Sequence, residues 1–258
     1  MRTHAIRPSR NLVDAAPSVR RIEIAEPLDW LRQAIQTFVR APGHSLLYGA
    51  LFSLACWATI ALIWSLPWFA LAFLTGLMLL GPFLAAGLYV AARQQESGQS
   101  VSIRESLGLI WRRRTSLGLF ALFLGLIAAA WVRLSALLFA IQFDLMSPSV
   151  ESYLNLFSSS FDPVVAAFFV GIGLLLAFTV FATSAVAIPM ILDRDVDPIT
   201  AINTSLRTFA LNWPGMLLWA ASIVALSGIG ILTGFIGMIL LFPLLGYATW
   251  HSYRRMVA

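Results

Sequence analysis

Arg133 is the first residue to account for, because of the seventeen arginines in this chain it alone lies inside a hydrophobic stretch. It falls about 17 residues into a helix expected from residue 116, so at about 1.5 Å per residue it lies roughly 25 Å from that helix's arginine-rich end. That depth is the outer third of a bilayer. A charge at the centre of a membrane helix costs about 2.5–3.5 kcal/mol, and less near an interface. Two arrangements lower the cost. One is a functional site, either anion-attracting or the fixed half of an internal ion pair with Asp144 or Asp162; the other, a side chain snorkelling to lipid phosphates, needs no site at all. A second group is the acidic knot Asp193, Asp195 and Asp197 with the run Arg112, Arg113 and Arg114. It suits a cation or a basic partner. The plainer reading is local structure: Asp197 before Pro198 forms a helix N-cap and first helical position, Asp193 or Asp195 pairs with the arginine run, and that run anchors to headgroups. The third group is His44 and His251, each at one end of a hydrophobic run. They approach each other if the first and last spans pack together; otherwise they are interfacial histidines bonding to backbone or headgroups.

Other chemistry is poorly provided for. The chain has three histidines, the third being His4, and one cysteine, Cys56, so an intrachain disulfide is excluded. Neither a copper–thiolate site nor a haem pair is available from that inventory. There is no phosphate-binding loop, no carboxylate pair within an apolar run and no nucleophile with an adjacent base. The expectation is a protein that is not an enzyme and holds no cofactor or metal. Pro82, Pro189 and Pro243 fall within apolar runs, where each frees a backbone carbonyl and predicts a kink. Kinks of that sort line transporter sites and also occur in plain bundles.

The elements that must position these residues are set by the lipid-soluble stretches. Hydrophobic residues are 59% of the chain and charged residues 11%, against roughly a quarter charged in a soluble domain. No Asp, Glu, Lys or Arg occurs from Ala41 to Ala92 or from Thr208 to Tyr253, and each gap holds two spans of about 20 residues. The pattern predicts an all-α polytopic bundle of six transmembrane helices near 45–66, 68–91, 116–142, 163–191, 210–230 and 233–253. Arginines fill alternate gaps: seven from Arg2 to Arg40, five from Arg93 to Arg114, then Arg194 and Arg207, then Arg254 and Arg255. Because cytoplasmic loops retain Arg and Lys, both termini are expected in the cytoplasm. The net charge of +5 is accounted for by arginines anchoring to anionic headgroups rather than by nucleic acid. Trp64 and Trp68 mark an outer aromatic belt; Trp111, Trp213, Trp250 and Tyr253 mark an inner one. Residues 1–27 hold no apolar run long enough for a secretory signal and read as a flexible cytoplasmic tail before an integral domain of residues 28–258. Val150, Tyr153, Leu154, Phe157 and Phe161 recur at helical spacing, which suggests a short helix on the outer membrane surface.

A duplication underlies the order. Ala34-Ile-Gln-Thr-Phe-Val-Arg-Ala-Pro42-Gly43 parallels Ser205-Leu-Arg-Thr-Phe-Ala-Leu-Asn-Trp-Pro214-Gly215, with one insertion. Pro82 precedes Arg93 by the same interval as Pro243 precedes Arg254. Each half therefore reads as an amphipathic segment followed by a hairpin, a parallel repeat about an axis normal to the membrane. A fainter third copy starts at Ile103, where Arg104-Glu-Ser-Leu-Gly-Leu-Ile-Trp-Arg leads into the third span.

Arg40-Ala-Pro-Gly43, Leu80-Gly-Pro-Phe83, Asp193-Arg-Asp-Val-Asp197, Asn212-Trp-Pro-Gly215 and Thr249-Trp-His-Ser-Tyr-Arg254 together resemble the bacterial integral-membrane family called domain of unknown function 2189, over about Leu28 to Arg255. The resemblance implies a multi-pass protein of the bacterial inner membrane without an established activity. Some members carry the label of cytochrome c oxidase components, and the histidine count argues against the oxidase core. Two functions remain open: a non-catalytic accessory, scaffold or assembly protein acting through a membrane-protein partner, or a transporter of small solutes or lipids with its site between the repeats near Arg133.

Overall fold

The structure is a computed structural model that describes residues 17–143 and 163–258. His4, Asp144, Asp162 and the expected outer surface helix lie outside the described residues. Helices account for nearly all of the rest: α1 (Glu26–Arg40), α2 (Pro42–Ser65), a 3-10 turn (Pro67–Phe69), α3 (Ala70–Glu96), α4 (Ile103–Arg112), α5 (Arg114–Phe143), α6 (Pro163–Ser184), α7 (Ala187–Arg194), α8 (Pro198–Leu211), α9 (Trp213–Leu232) and α10 (Met238–Met256). Among the described residues the only strand-like pairing is an isolated bridge between Val19 and Val257.

Five helices are long and apolar enough to cross a membrane: Pro42–Ser65, Ala70–Glu96, Arg114–Leu138, Ala166–Arg194 taken through a break, and Trp213–Leu232. The chain is an integral membrane protein with apolar helices suited to lipid contact. The sixth expected span differs. The segment proposed for 233–253 starts as a helix only at Met238, and α10 closes on His251, Arg254 and Arg255. It buries Phe242, Gly246, Tyr247, Trp250, Tyr253 and Met256, which places it among other helices, chiefly α1, α2 and α3. A helix lined by protein on several sides need not be apolar all round, so hydropathy underrates it.

The fourth span is also not one helix. α6 ends at Ser184 and α7 begins at Ala187. Pro189 has no N–H to give the Ala185 carbonyl, and its ring would clash with that carbonyl in a continuous helix. The break puts Pro189 in the first turn of α7, where its missing donor costs nothing. Pro189 is thus a helix start rather than a kink within a span, whereas Pro82 and Pro243 lie inside α3 and α10 as expected.

The helices α1, α4 and α8 are short and amphipathic, and each precedes a long apolar one. Their caps follow from sequence. Ser102 Oγ accepts from Glu105 N–H at the start of α4, and Asp197 accepts from the Ile199 and Thr200 amides and from the Thr200 hydroxyl at the start of α8, the N-cap read from Asp-Pro. Each helix buries a matching pair of positions: Ala34 and Thr37, Ser106 and Leu109, Ser205 and Thr208. Their other faces leave Leu28, Ile35, Leu107, Trp111, Ile199 and Leu206 exposed beside arginines.

Candidate functional site

At one end of the bundle the C-terminal turns of α3, α7 and α10 converge with α1, and their polar side chains interlock. Asp193, at the end of α7, has a side chain only 13% exposed. Arg93 Nε approaches its carboxylate at 3.1 Å, Arg254 Nη1 at 3.5 Å, and the Tyr253 hydroxyl donates to it at 2.7 Å. Arg194, the next residue along, turns the other way. Its Nε donates to the Tyr253 oxygen at 2.9 Å and its two terminal nitrogens to the carbonyls of Val257 and Ala258. The helical spacing of α10 presents Trp250, His251, Tyr253 and Arg254 around one turn, so a single segment meets three neighbours.

Glu96 is the second anchor. The indole Nε1 of Trp250 donates to it at 2.8 Å and Arg254 Nε lies 3.1 Å away. The ring of His251 stands 3.8 Å from the same carboxylate through Nδ1, while Nε2 shares a 2.9 Å hydrogen bond with Thr37 of α1. Arg255 forks onto Glu26 at the start of α1. Arg254 bridges Asp193 and Glu96, so the two anchors form one network. Exposed ion pairs are individually worth about 0–1 kcal/mol. The part-buried Tyr253–Asp193 and Trp250–Glu96 bonds are charge-assisted and worth more, about 1.5–3 kcal/mol each.

The residues expected from sequence are distributed as follows. Asp195 pairs with Arg113, as the knot and the arginine run suggested. Asp193 does not join that run; it takes Arg93 and Arg254 instead. Arg114 lies over the Trp111 ring at 4.9 Å and donates to the Trp111 carbonyl, and Arg112 is exposed. Asp197 serves its own helix. Its carboxyl is held below its ordinary 3.8 by the Thr200 hydroxyl and then by the Thr200 amide. His44 and His251 both lie along the packed pair α2 and α10, but in different surroundings: His44 packs its ring against Tyr48 at 4.8 Å, and both its ring nitrogens are buried without a hydrogen-bond partner. Arg133 projects from α5 with its side chain exposed; the partners expected for it are outside the described residues. Among the described residues no group of three His, Cys, Asp or Glu is placed to hold a metal ion.

Trp250 and Tyr253 were expected in an interfacial aromatic belt. They are 1% and 0% exposed and hold the two carboxylates from inside, whereas Trp64, Trp111 and Trp213 are exposed, as belt residues are. Glu96, Arg93, Tyr253 and Thr37 were not foreseen as one site. The available signal was the motif Thr249-Trp-His-Ser-Tyr-Arg254, six consecutive hydrogen-bonding side chains at a span end.

Residues 69–193 match the family model described as a predicted integral membrane protein, DUF2189. The match runs from the 3-10 turn through α3 to the Asp193 anchor. It includes Leu80-Gly-Pro-Phe83, and leaves the motifs at Arg40, Asn212 and Thr249 outside. Its description names a membrane protein and no activity. No curated protein and no solved structure matches the chain.

Proposed function

We propose that the chain is a non-catalytic scaffold of the bacterial inner membrane, with six membrane-embedded helices in duplicated hairpins and both termini in the cytoplasm. The observation that carries this reading is how its polar groups are used. Asp193, Glu96, Asp195, Asp197, Glu26 and Glu105 each engage side chains or amides of the chain itself. A transporter of polar solutes leaves ionisable or amide groups free at mid-depth; here Glu26, Glu96 and Asp193 are spent on tying α1, α3, α7 and α10 together at one face. The arginine distribution supports placing that face in the cytoplasm. The matching buried pairs of α1 and α8 support the duplication, and those of α4 a third copy. Arg133, exposed on α5, fits a side chain reaching outward to lipid phosphates. The lipid-facing helices α5, α6 and α9 offer a partner membrane protein, a respiratory complex being one class, an apolar face to dock on.

The break at Ala185 and Val186 supports the second reading, transport, since discontinuous helices line such sites. The two readings separate on purification in two mild detergents. The scaffold reading expects a second membrane protein at one fixed ratio in both. Recovery of the chain alone, with a melting temperature that rises with one particular solute, would overturn it in favour of transport.

A further inference from the structure

The turn between α9 and α10 is unlike a water-facing loop. Leu232, Phe235 and Ile236 crowd it, with Leu232 and Ile236 88% and 66% exposed, and no charged residue lies between Arg207 and Arg254. Its backbone is closed on itself. Gly234, at φ +61°, ends α9 with its own N–H on the Ile231 carbonyl and that of Phe235 on the Gly230 carbonyl, the Schellman arrangement. The Gly237 N–H finds the Thr233 hydroxyl. The remaining N–H groups, those of Thr233, Ile236, Met238, Ile239, Leu240 and Leu241, each reach a carbonyl of the same hairpin. N–H groups satisfied entirely within a non-helical segment suit hydrocarbon, where no water can take them.

Its depth can be measured twice. Ser53 Oγ of α2 donates to the Phe235 carbonyl at 2.9 Å, and the Trp57 ring meets Phe235 edge-on at 6.3 Å. Ser53 is eleven residues from Pro42 and twelve from Ser65, about 16 Å and about 18 Å along α2. The second ruler starts from Arg93 and Arg254, which share Asp193 and so share a level. From there α3 runs about 35 Å to Ala70, but α10 runs only about 24 Å to Met238. Phe235 therefore lies about 18 Å short of the far end of α2, and Met238 about 10 Å short of the far end of α3.

We propose that α9 and α10 form a re-entrant hairpin that enters from the arginine-rich face and ends within the hydrocarbon, its turn meeting acyl chains of the far leaflet beside Trp57. Lipid suits this level because Trp57 of α2, Ile229 and Leu232 of α9 and Ile236 of the turn are exposed and apolar. This rests on the proposed orientation with the arginines in the cytoplasm.

The test uses single cysteines in a Cys56→Ala background of the full chain, reconstituted in vesicles. Ser65→Cys marks the far end of α2, and Ile236→Cys marks the turn. An impermeant maleimide added on the side that labels Ser65→Cys is expected to label Ile236→Cys at least tenfold more slowly; equal rates would overturn the proposal. Labelling of Ser65→Cys only from the arginine side would mean that α2 does not cross, and would overturn the depth scale and the proposal with it. A spin label at Leu232→Cys, a side chain with little packing to lose, gives the independent readout. High collision with oxygen and low collision with a water-soluble nickel chelate are expected. High nickel collision means water, and low collision with both means a covering protein; either overturns the acyl-chain occupant.

Discussion

Two aspartates two residues apart should differ sharply when each is made asparagine, and the difference is calculable. Asp193 has a side chain 13% exposed and holds the Tyr253 hydroxyl at 2.7 Å with Arg93 and Arg254 beside it. Removing its charge weakens one charge-assisted bond, worth about 1.5–3 kcal/mol, and two partly exposed pairs worth about 0–1 kcal/mol each. An amide still accepts one hydrogen bond, so Asp193→Asn should cost about 2–3 kcal/mol, roughly 30- to 150-fold in the unfolding constant. Asp195 is 64% exposed and among the described residues pairs only with Arg113, and its left-handed backbone, φ 55°, is one asparagine tolerates. Asp195→Asn should therefore cost under about 0.5 kcal/mol. Reversible unfolding in mixed micelles measures both. Combining Asp193→Asn with Tyr253→Phe should be less than additive by about 1 kcal/mol, because the two share one bond. Equal costs at 193 and 195 would refute the claim that Asp193 is the anchor and leave the acidic knot a solvated surface.

Two further outcomes follow from particular contacts. Gly49 of α2 lies against the α10 backbone so closely that a Cβ would overlap the Ile239 carbonyl, while Gly76 of α3 has nothing within 4 Å. Gly49→Ala should cost about 1–3 kcal/mol through forced separation of α2 and α10, and Gly76→Ala should be neutral or stabilise by up to about 1 kcal/mol; paired melting curves decide. Asp197 caps α8 as a carboxylate whose pKa is depressed by Thr200, so its contribution is present above about pH 4 and lost as pH falls through the lower folded value. Asp197→Ala should cost about 1 kcal/mol near neutrality, with the gap to the parent protein shrinking as the pH falls below about 4 in the same melts.

What was legible in the sequence was whatever one segment decides by itself. The long apolar runs gave the helices α2, α3, α5, α6 and α9, because burial in lipid asks only for length and apolarity. Asp197 before Pro198 gave a cap, since donors and acceptor lie within four residues. What was not legible was set by contacts between remote segments. Trp250 and Tyr253 have the composition of a lipid interface and the environment of a protein interior, and only the approach of Glu96 and Asp193 distinguishes the two. Pro189 reads as a kink in an unbroken run, yet the surroundings of Ala185 and Val186, 8% and 0% exposed, let the chain break there with its backbone covered. Asp193 had several arginines within reach along the chain, and helix packing selected Arg93 and Arg254.

α10 joins these observations. Its hydropathy fails as a membrane span because its last two turns carry the side chains that lock α1, α3 and α7 together, and those turns need protein around them rather than lipid. The same helix's first turns are apolar and press on α2 through Gly49 and the stacked rings of Phe52 and Phe242 at 4.1 Å, and the turn before them takes the Ser53 hydroxyl. A segment that is polar and clasped at one end and apolar and closed at the other is fixed in depth by both. The clasp holds its level at the arginine face, and the Ser53 hydroxyl holds the turn below the far surface. Loosening the clasp through Asp193 should therefore shift the position of the turn as well as the stability, and a spin label at Leu232→Cys in the Asp193→Asn protein reads that coupling directly: an unchanged oxygen-to-nickel ratio would mean that the two ends of α10 act independently.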